Sequence, residues 1–525
     1  MCDSVILRFI SRLLYGFASA YRESKTAEII GKLAVKMKML FNESMFWNAI
    51  RKPERTTGYL ENSSFFKIIQ SIINYFLYIL RKIYDKIAEY IKNSFMWHFI
   101  STLNTRFDIE NSFTWRLVSI LISRFEVILG LYIFIQTVLP HHMWYNSYAL
   151  ILALAVFLLY VIKCASDRRY GIEIKKFDFA LLLFLLISFL STVTSIVPRD
   201  SIRIFVINTI PFLLMIVMLN AIKNKQQLDT IIYFIIAGIT IASLYGIWQY
   251  INGIEVDVRL VDVTVSGSIR RVFSTMGNPN NYAEYLILAL PFYAAAFFNT
   301  KKDLTRTAIL VLSALPLLNL YLTSSRASWI GFMVAVFVFI FLINRKLIPV
   351  FIILGVAMIP FIPDSIIRRL GTIGRDSSSL YRVNIWRGSF RMLKDYWVTG
   401  IGRGPGPFTK LINNYVTLDL PTHAHMVPLQ IWLEKGLVGI LSFVWLIARL
   451  VKKGMTSIFH KRDKYLSNIM AASIASLAGI LTFGMVEYVW FYSRVQSMFW
   501  IVVGIFMVSI NMDACKLTVN ETPVK

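Results

Sequence analysis

Two histidines, His423 and His425, lie directly before an apolar run that begins near residue 427. Histidine can take up a proton near neutral pH, so a histidine at the mouth of a membrane helix is a candidate general base. The same spacing could bind a metal along a strand, but no cysteine or acidic residue accompanies the pair in the sequence. The pattern therefore favours catalysis over metal binding, and a purely structural pair of loop histidines is the alternative.

A pair of arginines forms a second candidate group. Arg270 and Arg271 precede the sequence GNPNN (277–281), which leads into another apolar run. Asn280 or Asn281 could cap the helix that starts there. Two arginines beside a helix N-terminus would form an anion site, because both present positive charge. An ordinary loop followed by a capped helix is the alternative.

Two further arginines lie near predicted membrane spans, where an apolar residue would have a lower free energy than a charged one. Arg326 lies in the short turn TSSRAS (323–328), where it could reach a phosphate or extend to lipid headgroups. Arg382 shares one predicted helical face with Trp386 and Phe390, ahead of the glycine-rich segment 400–406. That segment lacks the lysine pattern of a P-loop, so we expect a sharp turn and no nucleotide site.

The elements that would position these residues are membrane helices. The chain has 525 residues, of which 56% are hydrophobic and 16% charged. A helix needs about 20 apolar residues to cross a bilayer. Twelve runs approach that length and predict an all-α, polytopic transmembrane bundle: 119–139, 145–164, 178–197, 203–222, 229–250, 281–299, 307–323, 327–344, 347–362, 427–450, 466–486 and 496–511.

The charge distribution predicts how the bundle is oriented. The net charge of the chain is +25. The lysines and arginines lie between the apolar runs and form no continuous patch, which disfavours nucleic-acid binding. With twelve spans, five basic loops fall on one side, and positive-inside bias makes that side cytoplasmic together with both termini. The segments 251–280 and 363–426 are then extracytoplasmic. The latter is also basic, for which anion binding offers a reason. Three scattered cysteines predict neither a disulfide nor a structural metal.

The amino-terminal region has a different pattern. Residues 1–118 contain apolar residues at helical spacing between Phe65 and Ile87, with lysines and arginines interspersed. This predicts an amphipathic helix on the inner leaflet, with a partner-binding helix as the first alternative and a transmembrane hairpin as a weaker one. We expect a transmembrane domain over 119–512 and a cytoplasmic tail over 513–525.

The order of these motifs resembles the O-antigen ligase family. The arginine pair before GNPN, the serine–arginine turn, RVNIW, GIGRGPGPF and HAHMVPLQIWLEKGLVG follow one another between roughly residues 120 and 512. The family's histidine signature falls on His425, Gly436 and Gly439, whereas Met426 departs from its second position. The resemblance implies a fold like that of the C-type glycosyltransferases.

The resemblance also implies the chemistry. Such enzymes take a glycan from undecaprenyl pyrophosphate and join it to an acceptor hydroxyl, without nucleotide, metal or other cofactor. His425 would be the catalytic residue, with His423 and Asn280 as acceptor-binding or supporting residues. Arg271, or its neighbour Arg270, matches the first pyrophosphate arginine. Arg382 or Arg326 matches the second, and Arg382 ranks higher because it lies in the large loop.

The acceptor stays open at this stage: a lipid, a wall polymer or a second glycan would each fit, with membrane lipids as surroundings. A polymerase of lipid-linked repeats would use the same donor site and is the first alternative. A transporter or flippase is the second alternative, since twelve helices are common there. It would require ionisable residues inside the runs, and few are evident. We therefore predict a metal-independent, inverting glycan ligase in the cell membrane.

Overall fold

In a computed structural model of the protein, the described residues are 63–94, 98, 102, 123–254, 270–357, 371, 377–418, 421–460 and 463–520. This part contains fifteen α-helices and no strand, so the all-α prediction is confirmed. The helices are α1 (Ser64–Lys92), α2 (Phe125–Val138), α3 (Asn146–Ser166), α4 (Phe179–Val193), α5 (Pro198–Ala221), α6 (Lys225–Ile251), α7 (Pro279–Asn299), α8 (Asp303–Leu322), α9 (Arg326–Ile343), α10 (Ile348–Ala357), α11 (Ser377–Tyr396), α12 (Pro405–Ile412), α13 (Val427–Phe459), α14 (Lys464–Phe483) and α15 (Ser493–Asn520).

The twelve predicted apolar runs correspond to helices α2–α10 and α13–α15. Among the described residues, eight of these helices are long and apolar enough to cross a membrane: α3, α5, α6, α8, α9, α13, α14 and α15. Helices α2 and α4 are apolar but shorter, and only Ile348–Ala357 of the run at 347–362 are described as α-helix. The chain is a multi-pass membrane protein.

Burial separates central helices from peripheral ones. The apolar windows of α14 and α15 are 83% buried, whereas those of α8 and α9 are 22% and 28% buried. Small residues let α14 approach its neighbours closely: a Cβ on Gly331 of α9 would lie 2.7 Å from the carbonyl oxygen of Gly479 in α14. Inside a bilayer the hydrophobic effect does not drive helices together, so they associate through close packing of this kind.

The long segment before α13 is folded rather than irregular. Helices α11 and α12 pack with the start of α13 around a second apolar core, separate from that of the bundle. Its most deeply buried members include Ile385, Met392, Phe408, Ile412 and Leu433. We call α11, α12 and the residues that connect them to α13 the cap.

The cap joins the bundle where α13 is interrupted. Gly436 has φ 67° and ψ −170°, so the helix breaks there and the carbonyls of Leu433 and Glu434 lose their helical partners. The backbone amides of Ile401 and Gly402 donate to these two oxygens at 2.7 and 3.1 Å. A Cβ on Gly436 would lie 1.9 Å from the carbonyl oxygen of Val398. Only glycine fits both the backbone angle and the contact.

Helix α1 confirms the helical pattern predicted between Phe65 and Ile87. It contacts the bundle through Arg81, which donates to the carbonyl oxygens of Cys164 and Tyr170 at 3.0 and 3.1 Å. The rest of the amino-terminal region lies largely outside the described residues, so the predicted boundaries at 118 and 512 stay predictions.

Candidate active site

A cavity of about 290 Å³ opens where α7, α9 and α11 begin and α14 ends. We call the side of the bundle that holds it the cavity face. Charged and polar side chains line it: Arg271, Asn280, Arg326, Arg382 and Glu487. Ser325 at the start of α9 and Ser378 at the start of α11 also line it. Because helix N-termini carry partial positive charge, the cavity is suited to an anion.

Arg271 is held in place at the cavity wall by two acceptors. Its Nε donates to the carbonyl oxygen of Thr323 at 2.9 Å, and its Nη2 donates to Asn280 Oδ1 at 2.9 Å. The predicted cap of α7 was wrong: Asn278 is the N-cap, since its side chain accepts from the Asn280 backbone amide. Asn280 is thereby free to orient the arginine.

Arg326 and Arg382 both line the cavity, so either position would let an arginine contact a bound anion. Arg326 is the first residue of α9. Arg382, one turn into α11, donates from Nη2 to Glu487 Oε2 at 3.0 Å. Arg270 lies elsewhere: its guanidinium packs beside Gly253, about 3.4 Å from the position of a Cβ there, and it does not line the cavity.

His425 lies beside the cavity and pairs with Glu487, a residue of the connection between α14 and α15. Its Nδ1 and the Glu487 Oε1 are 2.5 Å apart. A proton on Nδ1 leaves Nε2 as the basic nitrogen, the arrangement in which a carboxylate orients a catalytic imidazole. No hydrogen bond to Nε2 occurs among the described residues.

Glu487 is ionised in this setting. Burial alone would raise its pKa, but His425, His423 and Arg382 outweigh that effect and hold the pKa well below the ordinary value of a glutamate. For His423 the dominant effect is burial itself, which lowers the pKa of the imidazole. Its Nε2 lies 3.5 Å from Glu487 Oε1, and its ring stacks on Phe491 with centroids 4.4 Å apart.

The backbone fixes His425 in an uncommon conformation. Its φ is +46°, in the left-handed region that few residues other than glycine adopt. Neighbouring bonds hold the turn: Ala424 N donates to Gln430 Oε1 at 2.8 Å, and Val427 N donates to the Gly484 carbonyl at 2.7 Å. Backbone strain of this kind gathers at functional sites.

The expectation that no acidic residue accompanies the histidines was wrong, because the fold brings Glu487 to them. His423, His425 and Glu487 have ligand atoms within 4.8 Å of one another and could in principle hold a metal ion. The surrounding charge favours a hydrogen-bonded network instead. The Arg382 cation already contacts the carboxylate, and a metal cation there would meet its repulsion.

All the predicted site residues except Arg270 therefore lie at the cavity or contact Glu487. Glu487 itself was missed, because no motif surrounds it. The one available signal was an acidic residue next to a membrane span. The expectation of few ionisable residues within the runs also needs correction: Glu284 in α7, and Glu434 and Lys435 in α13, are buried.

Comparisons with known proteins agree with this architecture. Residues 309–444 match a family model described as O-antigen ligase. Two relatives carry the name "Putative polysaccharide ligase". The one from Rickettsia felis is 27% identical over 215 residues, 38% of this chain and 51% of that protein. The one from Rickettsia conorii is 25% identical over 270 residues, 46% of this chain and 61% of that protein. The chain thus spans about half to three-fifths of these relatives, and its resemblance to the O-antigen ligase family is confirmed over residues 309–444.

Proposed function

We propose that the protein is a membrane glycan ligase. It transfers a glycan from undecaprenyl pyrophosphate to an acceptor hydroxyl at the extracytoplasmic surface of the cell membrane, in the assembly of a surface polysaccharide. The observation that carries the proposal is the cavity lined by three arginines, with the paired His425 and Glu487 at its edge. The family match over residues 309–444 supports the same reaction class.

The cavity suits the donor because its leaving group is a pyrophosphate. As the glycosidic bond breaks, negative charge grows on the departing phosphate oxygens. Arg271, Arg326 and Arg382 supply cations that stay protonated and bind phosphate oxygens through a planar fork. A cavity that presents these groups before the reaction starts stabilises that charge with little reorganisation.

The acceptor side needs a base, and His425 supplies it. Its Nε2 takes the proton of the acceptor hydroxyl while the oxygen attacks the anomeric carbon. The bond from that carbon to the pyrophosphate breaks, and undecaprenyl pyrophosphate leaves with the electron pair. Glu487 holds the Nδ1 proton and stabilises the imidazolium. Attack opposite the leaving group inverts the anomeric centre, with no covalent enzyme intermediate.

The sidedness of the reaction follows from charge. The basic residues at 168–176, 223–225, 301–306, 345–346 and 452–453 lie at or near helix ends opposite the cavity face. If that side is cytoplasmic, the cavity opens outside the cell membrane. We propose residues 119–512 as the ligase unit, with 1–118 as a membrane-surface region.

The test is transfer in liposomes that contain the purified protein, undecaprenyl-pyrophosphate glycan and candidate acceptors. His425→Ala should lower the transfer rate by about 10²–10⁴-fold, the usual contribution of a general base. His142→Ala, which alters an exposed histidine outside the site, is the matched control and should retain the rate. Equal rates in both variants would contradict the role of His425.

The product of the same assay separates ligase from polymerase. A glycan joined to a second polyprenyl-linked repeat identifies a polymerase, and one joined to a different acceptor identifies a ligase. Labelled donor that crosses the bilayer without any transfer would instead support a transporter.

A further inference from the structure

We call the cavity of about 290 Å³, which we propose binds the donor, the donor cavity. A second cavity, of about 150 Å³, lies between α4, α5, α13 and α15, away from the donor cavity. We call it the lateral pocket. Its polar lining consists of Ser188, Asn208, Thr209, Arg403, Lys435 and Gln496. None of these residues lines the cavity that holds Arg271 and Arg382.

Two cations meet in the lateral pocket, and both are buried: Arg403 is 8% exposed and Lys435 is 4% exposed. Arg403 belongs to the glycine-rich turn of the cap, and Lys435 directly precedes the break in α13. Charges are rarely buried without a partner, because their desolvation costs several kcal/mol.

The nearby carboxylate of Glu434 attracts both cations but accepts a hydrogen bond from only one of them, Lys435. Glu434 accepts from Lys435 Nζ at 3.0 Å and from Gln430 Nε2 at 3.0 Å. It also lies within 3.3 Å of two further donors, the Tyr488 hydroxyl and the Gly404 amide. Its lone pairs are thus engaged by groups other than Arg403.

Arg403 is left facing the pocket. Among the residues that the structure describes, no group accepts a hydrogen bond from its guanidinium, and Nε is fully buried. The Phe205 ring lies 5.7 Å from its guanidinium carbon. A planar, unsatisfied fork beside a second cation is an incomplete anion site.

The pocket opens sideways. Leu185, Phe205, Asn208 and Thr209 are half-buried and lie next to exposed apolar residues of α4 and α5, such as Leu186 and Val206. Phe205 is seven residues from the start of α5, so the opening lies about 10 Å from that helix end. The apolar run of α5 begins near residue 203, so Phe205 lies close to its outer end, where lipid headgroups are found. An anion bound there, between membrane helices, can belong to an amphiphile.

We propose that the lateral pocket binds the anionic headgroup of a membrane lipid. Arg403 and Lys435 contact its charged group, and the acyl chains lie along the exposed faces of α4 and α5. The volume has room for several water molecules and hence for one phosphate-sized group. This site is additional to the donor site and does not depend on the proposed transfer reaction.

The experiment counts bound lipid by native mass spectrometry of the full chain in neutral detergent, during titration with phosphatidylglycerol. The wild-type protein should retain one tightly bound molecule, and phosphatidylcholine should not compete. Arg403→Gln should weaken this binding about tenfold or more, since it removes a charged hydrogen-bond donor. Lys410→Gln removes an exposed cation of the cap and should leave this binding unchanged.

A second variant guards against misfolding of Arg403→Gln. Asn208→Asp keeps both cations and places a carboxylate in the pocket, so it should also abolish the tight binding. Unchanged phosphatidylglycerol binding in both pocket variants would overturn the proposal. If inorganic phosphate competes equally well at the same concentration, the lipid assignment is overturned and a site for free phosphate takes its place.

Discussion

Two buried carboxylates, on opposite faces of the bundle, resemble each other in charge and differ in what surrounds them. Asp178, the N-cap of α4, is bound by Arg449 Nε at 2.8 and 2.9 Å, Lys453 Nζ at 2.5 Å and Ala180 N at 2.9 Å. Glu487 likewise contacts Arg382 and His425. Both carboxylates have a lowered pKa, although burial alone would raise it.

The difference is that Glu487 and its partner Arg382 line an open cavity. Asp178 joins α4 to the far end of α13 and lines none of the cavities described above. Arg382 lines the donor cavity and His425 keeps Nε2 available beside it. Buried charge therefore does not by itself identify the active site. The neighbouring cavity is what places Glu487, and not Asp178, in the candidate active site.

Exchanging each carboxylate for its amide gives the sharpest test of this comparison. Glu487→Gln should lower the transfer rate by about 10²–10⁴-fold, because His425 loses the group that selects its basic nitrogen. Asp178→Asn should retain the rate of the folded protein and lower its stability by about 3–5 kcal/mol, since buried cations lose their partner. Transfer assays and thermal unfolding measure the two effects. A large rate loss in Asp178→Asn with normal stability would break the comparison.

The arginine pair offers a smaller, matched test of the cavity. Arg271→Gln should lower the rate by about 10²–10³-fold, the effect of losing one donor to developing charge. Arg270→Gln, one residue away but outside the cavity, should change it by less than about fivefold. The measurement is transfer at saturating donor. Equal losses would mean that net charge, rather than position in the cavity, governs donor use.

The two histidines give the smallest expected effect. His423→Gln should lower transfer by no more than about tenfold, because glutamine can still donate to Glu487 and the replaced ring was neutral. Burial lowers the pKa of His423, so its charge is not needed at neutral pH. The measurement compares the transfer rate of His423→Gln with that of His425→Gln in the same assay. A loss as large as that of His425→Gln would give His423 an equal part in the chemistry.

The sequence was sufficient to predict the helices but not the site in full. Twelve apolar runs predict twelve helices, because length and composition alone determine which segments a bilayer accepts. Arg271 and His425 were also found, since each is a polar residue next to a span. Arg382 was found from its predicted helical face and from the family resemblance. Glu487 was not, because it lies 62 residues after its partner and only tertiary packing joins them.

The helices of the cap illustrate a further limit. Arg382, Trp386 and Phe390 predicted a helix, and α11 confirms it. Nothing in the spacing of the glycines at 400–404 indicated that their turn would pair with the break at Gly436. That contact is between backbone atoms, so the pattern of side chains along the sequence does not predict it.

The backbone joint between the glycine-rich turn and the interrupted α13 has a consequence for how such a protein can diversify. These backbone contacts require glycine at the turn and at the break, but they do not involve the outward side chains of α11 and α12. Substitutions on that outer surface can accumulate without loosening the attachment to the bundle. The recognition of a new acceptor could therefore evolve on the outer surface of the cap while the cap residues that serve the donor cavity, such as Arg382, stay unchanged.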